Sequence, residues 1–279
     1  ANTTGHGIIG KHNLSKHNLT FRETSVLLNS RLKLDGSMNL MRQVVKNKPT
    51  VGGFYMNPLV GLYRFPRGED IAYYKENFEV YDEGRNLNIQ NWHTSYEDFE
   101  QNPYWITNRI LSKENRMHVI VSLSANLKIN DWLSLQARGN VDYINDKVRQ
   151  QFYASTAPAL AGANGRYIEM DYQETQYYGD AILMMKKQWD AFSLNAALGV
   201  SINDKTVNST RYDSKTASLK YANVFNLANI IMNGSAGLDQ KIDARRQLQS
   251  LFATAQLGYN EFVYLDLTAR NDWSSTLAY

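Results

Sequence analysis

Alternation of apolar and polar residues between Val119 and Tyr143 limits this chain's fold more than any other feature. From Val119 to Ile129 every odd position is apolar, and the even positions from 122 to 128 are polar, which is the period of a β-strand. The pattern resumes on odd positions from Leu133 onward. A hairpin about Asp131 therefore places both apolar stripes on one face, and a slip of one residue would destroy that match. The apolar pairs predicted to meet are Ile129 with Leu133, Leu127 with Leu135 and Ala125 with Ala137.

The length of these strands suggests where they belong. Each stretch of about eleven alternating residues exceeds the usual five or six of a strand in a soluble sheet. A tilted strand needs roughly 9 to 11 residues to cross a bilayer. A soluble sandwich with one solvated sheet face would show the same alternation, so both interpretations stay open from this hairpin alone.

Three more hairpins are predicted along the chain. Residues 1–20 are expected to form a loop, after which alternation from Val26 and the Asp35-Gly36 pair predict a turn near Gly36. Further turns are expected near Asp190 and Glu261. Four hairpins make about eight strands. The predicted apolar pairs are Met185 with Leu194, Leu183 with Ala196, Ala181 with Leu198, Gly179 with Val200, Leu257 with Leu265, Ala255 with Leu267 and Ala253 with Ala269.

The connections between these strands alternate in length. The predicted turns are tight, whereas the segments between hairpins cover residues 46–118, 144–176 and 203–248. Such long loops are uncommon in compact soluble domains, but outer-membrane barrels combine short periplasmic turns with long external loops. Aromatic residues gather at the tight turns, as an interfacial girdle requires, although they would also close the end of a sandwich. These residues are Trp132, Trp189, Tyr259 and Phe262.

Composition excludes several other classes. The 279 residues carry a net charge of +3, spread along the chain, so no nucleic-acid partner is predicted. No apolar run approaches the length of a transmembrane helix, and the chain has no Cys. The spacing of His6, His12 and His17 fits no standard metal motif, and no metal or cofactor is predicted. The first residues lack the features of an export signal, and we expect the chain to be a piece of a longer one.

The loop around residues 91–109 is the predicted binding region. Its aromatic rings and polar groups suit contact with a sugar ring or a peptide side chain, because loops on rigid scaffolds commonly carry binding. The alternative is that the loop packs against its own barrel or against a partner. The predicted substrate-binding residues are Trp92, Tyr96, Asn102, Tyr104, Trp105 and Arg109.

An enzyme is not predicted. The best catalytic candidates are Glu97, Asp98 and Glu100, which could be imagined as glycosidase carboxylates. However, an acidic run in a polar loop is usually solvated, and no second acidic cluster has a recognisable partner spacing.

Residues 264–277, which read YLDLTARNDWSSTL, resemble a strand signature of the SusC/RagA-type TonB-dependent transporters of the bacterial outer membrane. The segments NPYW at 102–105, WL at 132–133 and YDSK at 212–215 are similar to barrel segments of that family. The resemblance implies a plug, a barrel of about 22 strands, coupling to TonB and a SusD-like surface lipoprotein. The implied cargo is an oligosaccharide or a peptide.

The sequence therefore predicts an all-β chain that forms a partial antiparallel transmembrane β-barrel wall with long extracellular loops. Residues 1–279 are expected to be one part of that barrel, without the plug and terminal strands, in the outer membrane of a Gram-negative bacterium. The alternative is a soluble all-β carbohydrate-binding module, which would bury the apolar stripe. Residues expected to face outer-membrane lipid are Leu123, Leu127, Leu135, Leu194, Leu198, Leu257 and Leu265.

Overall fold

A single large antiparallel sheet dominates the computed structural model, which describes residues 1–48, 55–94, 100–215, 219–232 and 237–276. Nine strands form it in chain order, and two further short strands, which follow the third strand along the chain, pair separately. The predicted fold class is confirmed, with nine strands in the sheet where about eight were expected. None of the helices in these residue ranges is long and apolar enough to cross a membrane.

The elements follow one another as strands with helical insertions between β3 and β6. The strands are β1 Asn2–His6, β2 Asn13–Leu27, β3 Leu32–Lys46, β4 Glu79–Asp82, β5 Leu87–Gln90, β6 Ile110–Lys128, β7 Leu133–Phe152, β8 Arg166–Trp189, β9 Phe192–Asp213, β10 Gly237–Tyr259 and β11 Val263–Ser274. The helices are α1 Pro58–Arg64, α2 Ile71–Glu76 and α3 Pro103–Arg109, and a short 3₁₀ helix spans Leu227–Asn229.

Two of the predicted hairpins form with the predicted register. In β6 and β7, Leu127 pairs with Leu135 and Ala125 with Ala137. The Asn130 side chain accepts hydrogen bonds from the backbone N–H groups of Trp132 and Leu133 at 3.0 and 2.8 Å, which stabilises the turn locally. The three pairs predicted for β10 and β11 are also confirmed.

The hairpin of β8 and β9 forms, but its predicted register is wrong by two residues. Met185 pairs with Ala196 rather than with Leu194, because a two-residue turn places Trp189 opposite Phe192. Asp190 in that turn has a φ of 41°, as primed hairpin turns require. A shift of two residues keeps every side chain on its own face, so the alternation could not detect it. The other observed pairs are Leu183 with Leu198, Ala181 with Val200 and Gly179 with Ile202.

The prediction of a turn near Gly36 is wrong. The chain turns between β2 and β3 instead, where Leu28, Asn29 and Ser30 have positive φ values. Gly36 lies inside β3 and pairs with Glu23 and Leu123. Because the Asp35 carboxylate accepts hydrogen bonds from the Arg22 and Thr24 side chains across the ladder, Asp-Gly is compatible with a strand at this position.

The strands are also longer than the apolar alternation indicated. Residues 1–20, predicted as loop, form β1 and half of β2, and β6 to β10 reach 19 to 24 residues. The extra length lies on the side away from the tight turns, where neither face keeps a continuous apolar stripe. Backbone hydrogen bonds to neighbouring strands hold these parts, so the connections shrink to residues 47–109, 153–165 and 214–236.

The two faces of the sheet show reversed exposure. Leu123, Leu198 and Leu265 are 59%, 53% and 53% exposed, whereas Asp180 and Ser250 on the opposite face are only 7% and 4% exposed. We call these the apolar face and the polar face. On β6 the apolar face comprises Val119, Val121, Leu123, Ala125 and Leu127, and their strand partners share it.

Two aromatic side chains pack against glycines of the sheet. A Cβ atom at Gly199 would lie 2.2 Å from the Phe252 ring, and one at Gly258 would lie 2.9 Å from the Tyr264 ring. The absence of a side chain at these two positions therefore allows the rings to cover the backbone. Such ring-over-glycine pairs help to fix the register between neighbouring strands.

Candidate functional site

The three connections opposite the tight turns pack together into one layer. We call it the loop layer and define it as residues 55–94, 100–109, 153–165 and 219–232. Gln101 accepts a hydrogen bond from the Ala157 backbone at 2.8 Å, and the Gln90 backbone donates to Ser155 Oγ at 2.9 Å. Asn223 accepts from the Ala154 backbone at 2.7 Å. Side chains of one connection thus satisfy the backbone of the next.

Asn102 organises the layer through hydrogen bonds to three chain segments. Its Oδ1 accepts from the Tyr104 backbone at 2.8 Å and caps α3. Its Nδ2 donates to the carbonyls of Tyr74 and Asn91 at 3.0 and 2.8 Å, and its backbone donates to Gln90 Oε1 at 2.6 Å. The side chain is fully buried. α3 is thereby held against the segments that precede it.

Trp105 is the largest fully buried side chain of the layer, with 1% exposure. Its indole Nε1 donates to Thr156 Oγ1 at 3.1 Å, which connects α3 to the loop between β7 and β8. The next residue, Ile106, belongs to an apolar cluster with Ile110 and Phe152. Burial of a large ring with its one polar atom bonded is strongly stabilising.

Trp92 belongs to an aromatic cluster around a buried carboxylate. Its ring centroid lies 5.3 Å from that of Phe65 and 5.2 Å from that of Tyr74. Its Nε1 donates to Glu100 Oε1 at 3.1 Å, and the same oxygen lies 2.9 Å from His93 Nε2. Glu100 is therefore a buried, bonded group, and the expectation that the acidic run is solvated is wrong at this position. Residues 97 and 98 lie outside the described ranges.

Arg109 forms a two-point ion pair with Glu79 of β4. Its Nε and Nη2 donate to the two carboxylate oxygens at 2.7 and 2.6 Å, and its guanidinium lies 5.4 and 5.1 Å from the ring centroids of Phe78 and Tyr153. These hydrogen bonds lower the pKa of Glu79 and raise the pKa of Arg109. The pair ties β4 to the end of α3.

A tyrosine of the layer also has a shifted pKa, for a similar reason. The Tyr74 hydroxyl donates to Glu69 at 2.7 Å, and this hydrogen bond raises the pKa of Tyr74 to about 12. Tyr74 therefore stays a neutral donor throughout the physiological range.

The predicted site residues fall into two groups. Trp92, Asn102 and Trp105 are 7%, 0% and 1% exposed, so the expected stacking of Trp92 or Trp105 on cargo conflicts with the packing of these rings inside the layer. Tyr104 and Arg109 are partly exposed. Tyr96 lies outside the described residues. Cargo binding by these residues stays a prediction. Among those that the structure describes, only Tyr104 and Arg109 have exposed surface for direct contact with cargo.

The polar face is a further candidate surface that was not predicted as a site. Ion pairs cross it between neighbouring strands, with Arg116 bonded to Asp146 at 2.6 Å and Lys205 to Glu174 at 2.6 Å. Near the tight turns a depression of about 680 Å³ lies on this face. Its polar lining includes Ser134, Lys186, Asn195, Gln256 and Asp266. The even positions of the alternating stretches were the available signal for this polar wall.

A metal site is not found among the described residues, since no three His, Cys, Asp or Glu side chains come together there. The arrangement instead has three parts: an exposed apolar face, a polar face with paired charges, and a compact loop layer at one end.

Comparison with known proteins finds similarity in structure alone. No protein-family model matches the chain, and no curated protein matches it. The RagAB peptide transporter superimposes with a TM-score of 0.66 at 15% identity, over 96% of this chain and 28% of that one. The ferric-catecholate import receptor Fiu from E. coli K12 superimposes with a TM-score of 0.52 at 12% identity, over 97% of this chain and 39% of that one.

The siderophore receptor PiuA from Acinetobacter baumannii gives a TM-score of 0.50 at 10% identity, over 95% of this chain and 36% of that one. The chain thus spans less than two fifths of the length of these structures. At such low identities the similarity concerns the fold, and this fold is a section of the sheet that these import proteins and receptors share.

Proposed function

We propose that the chain forms part of the barrel wall of a TonB-dependent outer-membrane transporter of the SusC/RagA type. The reversed exposure of the sheet is the observation that carries the proposal: leucines are exposed on one face and carboxylates are covered on the other. Water would penalise this arrangement, whereas lipid outside and a polar interior within would favour it. The fold similarity to import proteins supports the same function.

The dimensions of the apolar band support a membrane-spanning wall. On β7 the apolar stretch begins at Leu133 and ends at Tyr143, a distance of about 34 Å along the strand. At a tilt of about 40° this corresponds to roughly 26 Å across the membrane, close to the apolar band of outer-membrane barrels. Exposed aromatic rings border the band at the turns, where Trp189 and Phe192 are strand partners. The exposed ring of Tyr177 lies opposite Val141, one row inside the other end of the band.

The orientation of the sheet in the membrane follows from the lengths of the connections at its two ends. Tight turns face the periplasm and the loop layer faces outward in barrels of this kind. In this arrangement the loop layer meets the cargo first, and a SusD-like lipoprotein closes over it. TonB acts through a plug that the rest of the protein supplies. The sequence resemblance at residues 264–277 supports these partners.

Peptides or oligosaccharides are the proposed cargo. The similar structures are described as a peptide transporter and as receptors for iron-carrying molecules, so one fold serves different cargo and the loops must select it. Because Trp92 and Trp105 are buried, cargo contact from the loop layer falls to Tyr104, to Arg109 and to the exposed rings of the layer. These exposed rings are Tyr63, Tyr73, Tyr81 and Tyr221.

The test is to express the full-length protein in a Gram-negative host and to measure three things: recovery in the outer-membrane fraction, uptake of labelled peptides, and uptake of labelled oligosaccharides. We expect outer-membrane recovery and uptake of one cargo class that stops when TonB is removed. Recovery as a soluble protein that binds oligosaccharides would support the carbohydrate-binding module instead. Uptake that persists without TonB would contradict the proposal.

A further inference from the structure

A cluster of cations lies on the apolar face immediately beyond the apolar band, on the side of the loop layer. The strand registers are continuous here, so residues two apart stay on one face. On β3, Arg42 and Lys46 follow Leu40 on that face, and on β6 Lys113 lies six residues beyond Val119. We call this set, with two more cations of β7, the cation cluster. Its members are Arg42, Lys46, Lys113, Lys147 and Arg149.

Like charges face each other directly within the cluster. Lys46 is the strand partner of Lys113, and Lys113 is the strand partner of Arg149. Three cations therefore stand side by side on three neighbouring strands, and like charges in directly opposed positions are destabilising. All of them are exposed. A bound anion would remove this repulsion.

The described residues supply too few anions to neutralise the cluster. On β8, Asp171 lies 3.4 Å from Lys147, and Glu169 lies 3.1 Å from Arg149. Within the described part of the chain, no ion pair involves Arg42, Lys46 or Lys113. Three positive charges on this surface thus remain available to an external anion.

The position of the cluster identifies the anion. Arg42 is opposite Met117, one row beyond the row of Leu40, Val119 and Tyr143 that ends the apolar band. Lys113 lies about 20 Å farther along its strand than Val119, or roughly 15 Å in height at the tilt of such barrels. A phosphate at the hydrocarbon boundary would reach Arg42, while Lys46 and Lys113 require anionic groups farther from the lipid tails. A glycolipid that carries phosphates on its headgroup and on attached sugars supplies anionic groups at both heights.

We propose that the cation cluster binds the phosphorylated headgroup of a lipopolysaccharide in the outer monolayer. The lipid tails lie against the apolar face below Arg42, and the phosphates lie among Arg42, Lys46 and Lys113. The proposal rests on the proposed function, because it requires the loop layer to face outward. It adds a lipid-binding surface on the outside of the wall, opposite the polar face and separate from the cargo contacts proposed for the loop layer.

The test uses the full-length protein in detergent and a triple variant, Arg42→Gln, Lys46→Gln and Lys113→Gln. The matched control is Arg31→Gln, Lys33→Gln and Lys128→Gln, which removes three exposed cations on the turn side: one in the turn before β3, one on β3 and one at the end of β6. The probe is fluorescently labelled lipopolysaccharide, titrated at low and high salt. Each cation near an anionic membrane surface contributes about 1 kcal/mol, or about fivefold. We expect binding to weaken at least tenfold in the triple variant and less than twofold in the control.

Two further measurements distinguish phosphate carried by the lipid from free inorganic phosphate. Dephosphorylated lipopolysaccharide should bind at least tenfold more weakly to the wild type, and millimolar inorganic phosphate should not displace the labelled lipid. Equal binding by the triple variant and the control would overturn the proposal, as would full displacement by inorganic phosphate. Heat-modifiable migration on gels checks that both variants are folded. Outer-membrane recovery and uptake of the wild type test the proposed function separately, so loss of lipid binding with normal uptake would contradict the lipid site alone.

Discussion

The sheet and the loop layer are stabilised in different ways. In the sheet, long strands exchange backbone hydrogen bonds with both neighbours, and large apolar side chains on one face stay exposed. In the loop layer, short helices and strands surround a buried core that includes Trp105 and Ile106, and buried amides such as Asn102 bond the backbone of several segments.

The difference shows which solvent each region suits. The loop layer follows the rule of water-soluble proteins, with apolar rings inside and polar groups bonded. The sheet reverses that rule on its apolar face, which lipid tolerates and water does not. Mutations should therefore have opposite consequences in the two regions: loss of a ring should damage the loop layer, and a new charge should damage the sheet.

Trp105→Ala should have the largest effect, and it should be confined to the loop layer. Removing a buried Trp costs about 3 to 5 kcal/mol, and Thr156 loses its indole partner. Limited proteolysis should cut the layer faster, while heat-modifiable migration of the barrel stays unchanged. Tyr63→Ala, at a ring that is 85% exposed, should change stability by less than about 0.5 kcal/mol. Loss of barrel assembly in Trp105→Ala would show that the two regions are not independent.

Leu123→Arg should have the next largest effect, and it should act on the sheet. Leu123 lies midway along the apolar stretch of β6, and Arg at the bilayer midplane of a barrel's lipid face costs roughly 2 to 4 kcal/mol. Assembly into the outer membrane, measured by surface labelling, should fall strongly. Ser124→Arg places the same charge one residue away on the polar face and should assemble normally. Equal tolerance of the two variants would argue against a wall that faces lipid.

Asn102→Ala should destabilise the loop layer by an intermediate amount. The change removes the α3 cap and leaves the partly buried carbonyls of Tyr74 and Asn91 without this donor, at a cost of roughly 1 to 3 kcal/mol. Asn57→Ala, which removes only one capping bond at α1, is the control and should cost less. Hydrogen exchange of α3 in the first variant and of α1 in the control measures the two effects, and a smaller effect at Asn102 than at Asn57 would contradict the central position of Asn102.

Acidification should produce the smallest effect, through the Glu79–Arg109 pair. The folded pKa of Glu79 lies below its unfolded value, so the pair stabilises the layer above about pH 4.3. That contribution is lost as the pH falls through the folded pKa. Near-ultraviolet circular dichroism measured at decreasing pH should show that the layer loosens. In the Glu79→Gln variant, the part of this change that comes from the Glu79–Arg109 pair should be absent. An identical acid response in the variant would exclude the pair as its source.

Much of the sheet was predictable because its signals are local. The period of two set the faces of every strand inside the apolar band, and turn residues around Asp131 and Glu261 set two registers correctly. The first turn was misplaced because Asp-Gly is a turn signal only where no neighbouring strand pairs with it, and Glu23 and Leu123 both pair with Gly36.

The site was harder to predict than the sheet, because no local pattern of residues indicates whether a side chain will be exposed or buried. Trp105 and Asn102 are aromatic and amide residues of the kind that bind cargo, but the same residue types also fill and bond a core. Their partners determine which occurs: Thr156, which accepts from Trp105, is 51 residues away. The cation cluster was hard to predict for the same reason. Lys46 and Lys113 are far apart in the chain and become neighbours only because β3 pairs with β6.

The amino-acid sequence by itself determined the strand period, the two faces and the hairpins whose turns carry their own chemistry. The tertiary structure alone decided the extension of the strands beyond the apolar band, the two-residue shift of β8 against β9, and the burial of the loop-layer rings. The physical reason is that side-chain alternation and turn preference act between near neighbours, whereas backbone pairing and core packing depend on segments that only the fold brings together.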